Sequence, residues 1–285
     1  MDVFKEVKFI LPKRYLEPRA FGAMNWRGLW TLYAKEVRRF LKVYTQTLLA
    51  PVITSLLFLA IFNLALGQAI QVIGGISFIE FLTPGLIMMM IAQNGFANTS
   101  SSILIAKIQG NIVDVLMPPI GPAELMLAYV ASGLTRGVMV GIVTLMAMYF
   151  FVSITIHHLG VVIFFTLAAS LMMSILGIIA GLWAEKFDHI AAITNFIVTP
   201  LSFLSGTFYS IERLPETFQT LALLNPLFYM IDGFRYGFID RADASLWAGA
   251  SVLIAVNVIL WVVTARECCR VAISSKREFL AWRQA

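Results

Sequence analysis

Six stretches of this chain stay apolar for about the thickness of a bilayer: residues 48–67, 81–106, 125–152, 159–184, 190–208 and 245–264. A helix crosses a hydrocarbon core of ~30 Å with ~20 such residues. No short alternating segments of the kind that build membrane barrels are visible. The pattern predicts an all-α integral membrane protein with six transmembrane helices.

A different periodicity precedes the first stretch. Trp26, Leu29, Trp30, Tyr33, Val37, Phe40, Leu41 and Tyr44 recur at three- and four-residue steps, with Arg27, Lys35, Arg38, Arg39 and Lys42 between them. This is an amphipathic helix of the kind that lies in the headgroup plane, aromatics down and cations toward lipid phosphates. It reads as a topology anchor or as a docking surface for a cytoplasmic partner. Between the fifth and sixth spans, residues 214–224 and 227–238 form two apolar pieces broken by Asn225-Pro226. At ~1.5 Å per residue each is too short to cross, and proline ends a helix interior. Two short re-entrant helices fit, with helices lying flat on the outer surface as the alternative.

Between the second and third spans lies KIQGNIVDVLMPPIGP, residues 107–122. Gly110 breaks the preceding helix, Asn111 can cap a new one, and Pro118-Pro119 ends it. Ile112, Val113, Val115, Leu116 and Met117 are apolar enough to seek a partner's groove; the alternative is a loop resting on the lipid interface.

Composition agrees with the pattern. Of 285 residues, 59% are hydrophobic and 13% charged, against ~45–50% and ~25% in soluble domains. The net charge of +5 serves topology rather than nucleic acid. Seventeen of the 21 Lys and Arg fall in the head, the tail and the second and fourth loops; Arg213, Arg235 and Arg241 lie opposite, and Arg136 lies inside a span. The positive-inside rule puts both termini in the cytoplasm. The first 43 residues carry ten of these cations and do not read as a cleavable signal. Cys268 and Cys269 are adjacent and staple nothing.

The chemistry a self-powered machine needs is missing. No phosphate-binding GxxxxGK[ST] and no HExxH occur. Ser205-Gly206 has Phe203 where an intramembrane serine protease of the GxSG kind has glycine. His157 and His158 read as solvent-facing side chains. The spans hold no carboxylate to carry coupling charge, and Arg136 reads as a residue that snorkels to the interface. A separate subunit must therefore supply the energy for any uphill movement.

Small polar stripes remain. Asn94, Asn98 and Ser101 share one face of the second span, and Asn195, Thr199 and Ser202 one face of the fifth, where Pro200 predicts a kink. Such faces either hold helices together or line a path for an amphipathic cargo. Thr83-Pro84-Gly85 suggests a bend near the start of the second span.

These features together resemble the type-2 ABC transporter permeases, the transmembrane subunits of bacterial exporters, and among them the YadH-like branch. The resemblance rests on GNIVDVLMPP (110–119), AEKFDHI (184–190), PLSFLSGTFYS (200–210) and LNPLFYMIDGFRYG (224–237), and it covers almost the whole chain. It implies a homodimer, or a dimer with a paralogue, working in the inner membrane with two separate ATPase subunits. ATP and magnesium would bind to those partners, and this chain would bind no cofactor or metal and no nucleic acid. Asn111, Ile112, Val113, Asp114, Val115 and Leu116 would form the coupling helix, with Glu185, Lys186, Phe187 and Asp188 a second contact. The family places the fifth span centrally, so Asn195, Phe196, Thr199, Ser202 and Phe203, with Asn94 and Asn98, are candidates for the cargo path. Asp232 and Arg235, spaced i, i+3, are expected to pair. Three segments follow: a head and interface helix over 1–44, a permease domain over 45–264 and a cytoplasmic tail over 265–285. The competing readings are a lipid-modifying membrane enzyme and a membrane scaffold.

Overall fold

The computed structural model describes residues 24–66, 72–73, 75–111, 120–211 and 215–284. Helix α1 spans Trp26–Lys42 and is capped by Asn25, whose Oδ1 accepts from the Gly28 amide at 2.9 Å. The chain then enters the first long helix through a wide π-helical turn, Thr45–Leu49, and continues as α2, Ala50–Leu66. A two-residue hairpin, β1 (Val72–Ile73) and β2 (Ile76–Ser77), leads into α3, Phe78–Ile108. Next come α4, Pro122–Tyr149, and α5, Leu159–Trp183. The fifth long helix is built of α6 (Phe187–Ile193), a second π turn (Thr194–Val198) and α7 (Thr199–Leu204). Two short helices, α8 (Glu216–Leu224) and α9 (Pro226–Ile239), precede the terminal α10, Leu246–Gln284.

Five of these runs are long and apolar enough to cross a membrane: 45–65, 122–149, 159–183, 187–204 and 246–268. The sixth expected crossing falls in α3. It is 31 residues long but carries Gln93, Asn94, Asn98 and a Thr-Ser run. It sustains those polar residues because it is the most enclosed helix of the fold, buried along most of its length against α4 and α5.

Small residues allow that enclosure. A Cβ at Gly133 of α4 would overlap the Ser174 hydroxyl of α5, and one at Gly177 of α5 would overlap Thr99 Oγ1 and the Phe96 carbonyl of α3. Backbones that approach this closely gain dispersion and interhelical hydrogen bonds, such as Thr99 Oγ1 to the Ser174 carbonyl at 2.8 Å.

One residue separates each π turn from a proline, Pro51 in the first span and Pro200 in the fifth. A proline lacks the amide that would bond to the carbonyl four residues back, and its ring crowds that carbonyl. Widening the preceding turn relieves both problems. At Pro200, where a kink is expected, the helix widens into a π turn. Pro84, by contrast, is accommodated inside an unbroken α3, which begins at Phe78 rather than at residue 81. Helix α10 likewise continues through residue 265 to Gln284 with no break at the expected start of the tail.

Candidate functional site

Helix α1 does not present all its cations to the outside. Its inner face is Leu32, Glu36 and Phe40, and Glu36 is only 1% exposed. Glu36 accepts from Arg39 Nε at 2.9 Å and from the Ser102 hydroxyl at 2.5 Å. Arg39 turns inward and donates to the Asn98 carbonyl at 2.9 Å and to its Oδ1 at 3.0 Å. Asn98 in turn donates to Ser132 of α4 at 3.0 Å. One turn along, Arg136 of α4 donates to Asn94 Oδ1 at 2.9 Å. Arg136 thus bonds within the bundle rather than snorkelling, and Arg39 faces an asparagine rather than lipid.

A search of the spans for carboxylates does not reach this cluster, because Glu36 is delivered from the interface helix. Asn94 and Asn98, candidates for the cargo path, are both buried and engaged within one chain.

The fifth span behaves differently. Asn195 and Phe196 are exposed, Phe196 to 81%, and Thr199 is half-buried. Ser202 points inward and donates to the Val198 carbonyl at 2.7 Å, so it does not share an open stripe with Asn195. Phe203 lies edge-on to Phe208, with centroids 5.3 Å apart, and Phe208 stacks on Phe62 of the first span at 4.5 Å. These rings, with Phe58, Pro200, Leu204 and Tyr209, line an open apolar groove between the first and fifth spans.

At the end of the bundle where α3 finishes, Gly110 turns with φ +71° and Asn111 is exposed, its amide donating to Gln109 at 3.2 Å. Ile112, Val113, Asp114, Val115 and Leu116 lie outside the described residues. Lys186, Phe187 and Asp188 emerge at the same end and are all exposed. Phe187 and Asp188 open α6 with no side-chain cap at its start.

At the opposite end, α8 and α9 meet at Asn225. Its Oδ1 accepts from the Leu227 amide at 3.1 Å, and its amide group donates to Leu201 and Ser205 of the fifth span. The expected ion pair between Asp232 and Arg235 does not form. Asp232 accepts from the amides of Asp243 and Ala244 at 2.8 and 2.9 Å. Arg235, 2% exposed, donates to the Gly206 carbonyl at 2.5 Å and lies 3.9 Å over the Phe81 ring. Helical spacing makes a pair possible, but the carboxylate is held by two backbone amides of the loop that enters α10, and the guanidinium is turned to a carbonyl and an aromatic face.

His157 and His158 are exposed, as expected, though neither is idle. His157 bonds to the Phe238 carbonyl, and His158 to Asp240 at 2.9 Å. Hydrogen bonds from His158 and Tyr236 hold the Asp240 carboxyl below the ordinary carboxylate range. Among the described residues no group of three or more His, Cys, Asp or Glu is placed to hold a metal ion.

Comparison with known proteins adds a lineage to this geometry. The ABC-2 type transporter family matches residues 27–239. The chain is similar to the inner membrane transport permease YadH of Escherichia coli strain K12, at 38% identity over 240 residues, covering 84% of this chain and 94% of that one. It is also similar to nodulation protein J of Rhizobium leguminosarum bv. viciae, at 25% over 256 residues, covering 85% and 93%.

Proposed function

The chain belongs to the ABC-2 type transporter family, and from that premise we propose that it is the membrane-spanning subunit of an ATP-driven exporter whose energy comes from a separate ATPase. It is a multi-pass inner-membrane transport permease. In the working assembly two copies, or one copy and a paralogue, combine with two ABC ATPases that hold ATP and magnesium. Helix α3 is the sixth crossing, and both termini are cytoplasmic, in line with the distribution of Lys and Arg. Helices α8 and α9 are then the re-entrant pair on the outer side. The segment from Asn111 to Leu116, with Lys186, Phe187 and Asp188, faces the ATPase. Residues 1–44 form the head, 45–264 the transport domain and 265–285 the tail.

The observation that carries this reading is the exposed face of the fifth span. Asn195 and Phe196 lie uncovered there, beside an aromatic groove shared with the first span. A mixed polar and aromatic face suits an amphipathic cargo, of lipid or glycan type, once a second copy closes over it. ATP would draw the two ATPases together, and the contact segments would tilt the half-channels between inward- and outward-open states.

The test is purification of the full chain together with an ABC ATPase expressed beside it. One ATPase per permease and ATP hydrolysis that depends on the permease are expected. A permease that binds no ABC ATPase would overturn the reading.

A further inference from the structure

Lys107 stands in the last turn of α3, and its ammonium reaches across to the end of α5. Nζ lies 3.4 Å from the Gly181 carbonyl, 2.8 Å from Leu182 and 2.5 Å from Ala184. The last carbonyls of a helix have no intrahelical partner, and the helix dipole concentrates negative charge there. Three carbonyls match the three donors of an ammonium.

Helix α5 has no other device at this end. It stops at Ala184, which is extended at ψ 139°, with no left-handed glycine to cap it. Close packing continues up to the joint, since a Cβ at Gly181 would stand 3.0 Å from the Ser100 carbonyl.

The position of this joint gives it meaning. Three residues after Lys107 the chain turns at Gly110 and enters the segment beginning at Asn111. One residue after Ala184 it enters Glu185–Asp188. Both segments leave the bundle from the two backbones that this one side chain joins.

We propose that Lys107 is a positioning residue that makes the two ATPase-facing segments of one protomer move as a single body. It touches neither ATP nor cargo. A push delivered to either segment enters the α3–α5 core through the joint instead of bending one loop alone. The proposal rests on the reading of those segments as ATPase contacts.

The test separates the joint from the family reading. In the full chain with Cys268→Ser and Cys269→Ser, spin labels at Asn111→Cys and Phe187→Cys, both exposed, report the distance between the two segments, with no partner present. Lys107→Met is expected to broaden that distribution, Lys107→Gln to broaden it less, and Lys107→Arg to leave it narrow. If the methionine variant fails to accumulate, the glutamine variant carries the same comparison. In the complex with the ABC ATPase, Lys107→Met is expected to lower permease-dependent ATP hydrolysis severalfold while the ATPase stays bound, with Lys107→Arg restoring it.

An unchanged distance distribution in both Lys107→Met and Lys107→Gln would overturn the joint. A broadened distribution with undiminished hydrolysis would make Lys107 structural only and overturn its positioning role. Absence of ABC ATPase binding by the unsubstituted chain would instead sink the family-based function, leaving the partner-free distance measurement standing.

Discussion

In the α3–α4–α5 trio, Gly133 lies against Ser174 and Gly177 against Thr99, and polar side chains bond from helix to helix. In the first and fifth spans, Ile53, Leu57, Ile61, Phe196 and Ile197 are more than half exposed. The two sets solve different problems. A helix enclosed by its own chain can carry asparagines and threonines, because its neighbours satisfy them, and it gains by close approach. A helix left at the edge of one chain must offer a face to lipid or to another copy. The first and fifth spans share one more trait: each holds a π turn just ahead of a proline, at the start of the first and in the middle of the fifth. The trio is the closely packed part of this chain, and the first and fifth spans, like the sixth, leave apolar faces uncovered.

The contrast breaks most visibly if a core glycine tolerates bulk. Gly177→Leu drives a side chain into Thr99 and the Phe96 backbone, and overpacking of this kind typically costs about 1–3 kcal/mol, occasionally more. The expected result is failure to accumulate, or a large fall in the detergent melting temperature. Phe196→Ala on the outer face should leave that temperature unchanged.

Second in size is the link from α1 into the core. Glu36→Ala strips Arg39 and Ser102 of their shared acceptor, and breaking a buried pair is strongly destabilising. Arg39 is 27% exposed and can recover water, so the expected loss is about 2 kcal/mol. Chemical denaturation with and without Arg39→Ala in a double-mutant cycle would show strong coupling; additive losses would mean the contact carries no energy.

The coupling segment comes next. Val115→Asp with Leu116→Asp should leave membrane insertion and melting intact but release the ATPase, since an apolar anchor contributes more than about 1 kcal/mol at an interface. Full ATPase retention and normal transport would remove these residues from the docking surface. Smaller still is Asp232→Asn. It keeps one acceptor for the 243–244 amides and removes the charge, with a predicted loss of about 1 kcal/mol in the same melting assay. A neutral result would mean those amides are satisfied without the carboxylate.

Much of this was readable in the residues. The amphipathic α1, the starts of the long helices and the break at Asn225-Pro226 follow from apolar spacing and proline chemistry, and each is found within a few residues of its expected place. What was not readable depended on contacts made at a distance along the chain. A helical wheel places Glu36 among the apolar residues, three after Tyr33 and four before Phe40, but local spacing does not reveal that Ser102 arrives from α3 to meet it there. The i, i+3 spacing of Asp232 and Arg235 permits a pair, but the amides of 243 and 244 arrive from another loop and take the carboxylate. Local hydropathy undervalues α3, whose polar residues are satisfied by its own carbonyls and by α1, α4 and α5. The stop expected at residue 264 reflected charge, and charge does not break a helix when no proline or glycine follows.

The most direct test of the division between core and outer spans is crosslinking in membranes. Single cysteines would replace Phe196, Phe203 and, on the terminal helix, Val258, in a chain lacking Cys268 and Cys269. All three positions are exposed in one chain. Copy-to-copy crosslinks are expected through residue 196 or 203, with protection when cargo or nucleotide changes the gap, and none through 258. Crosslinking through 258 alone would place the partner on the wrong face and contradict the account.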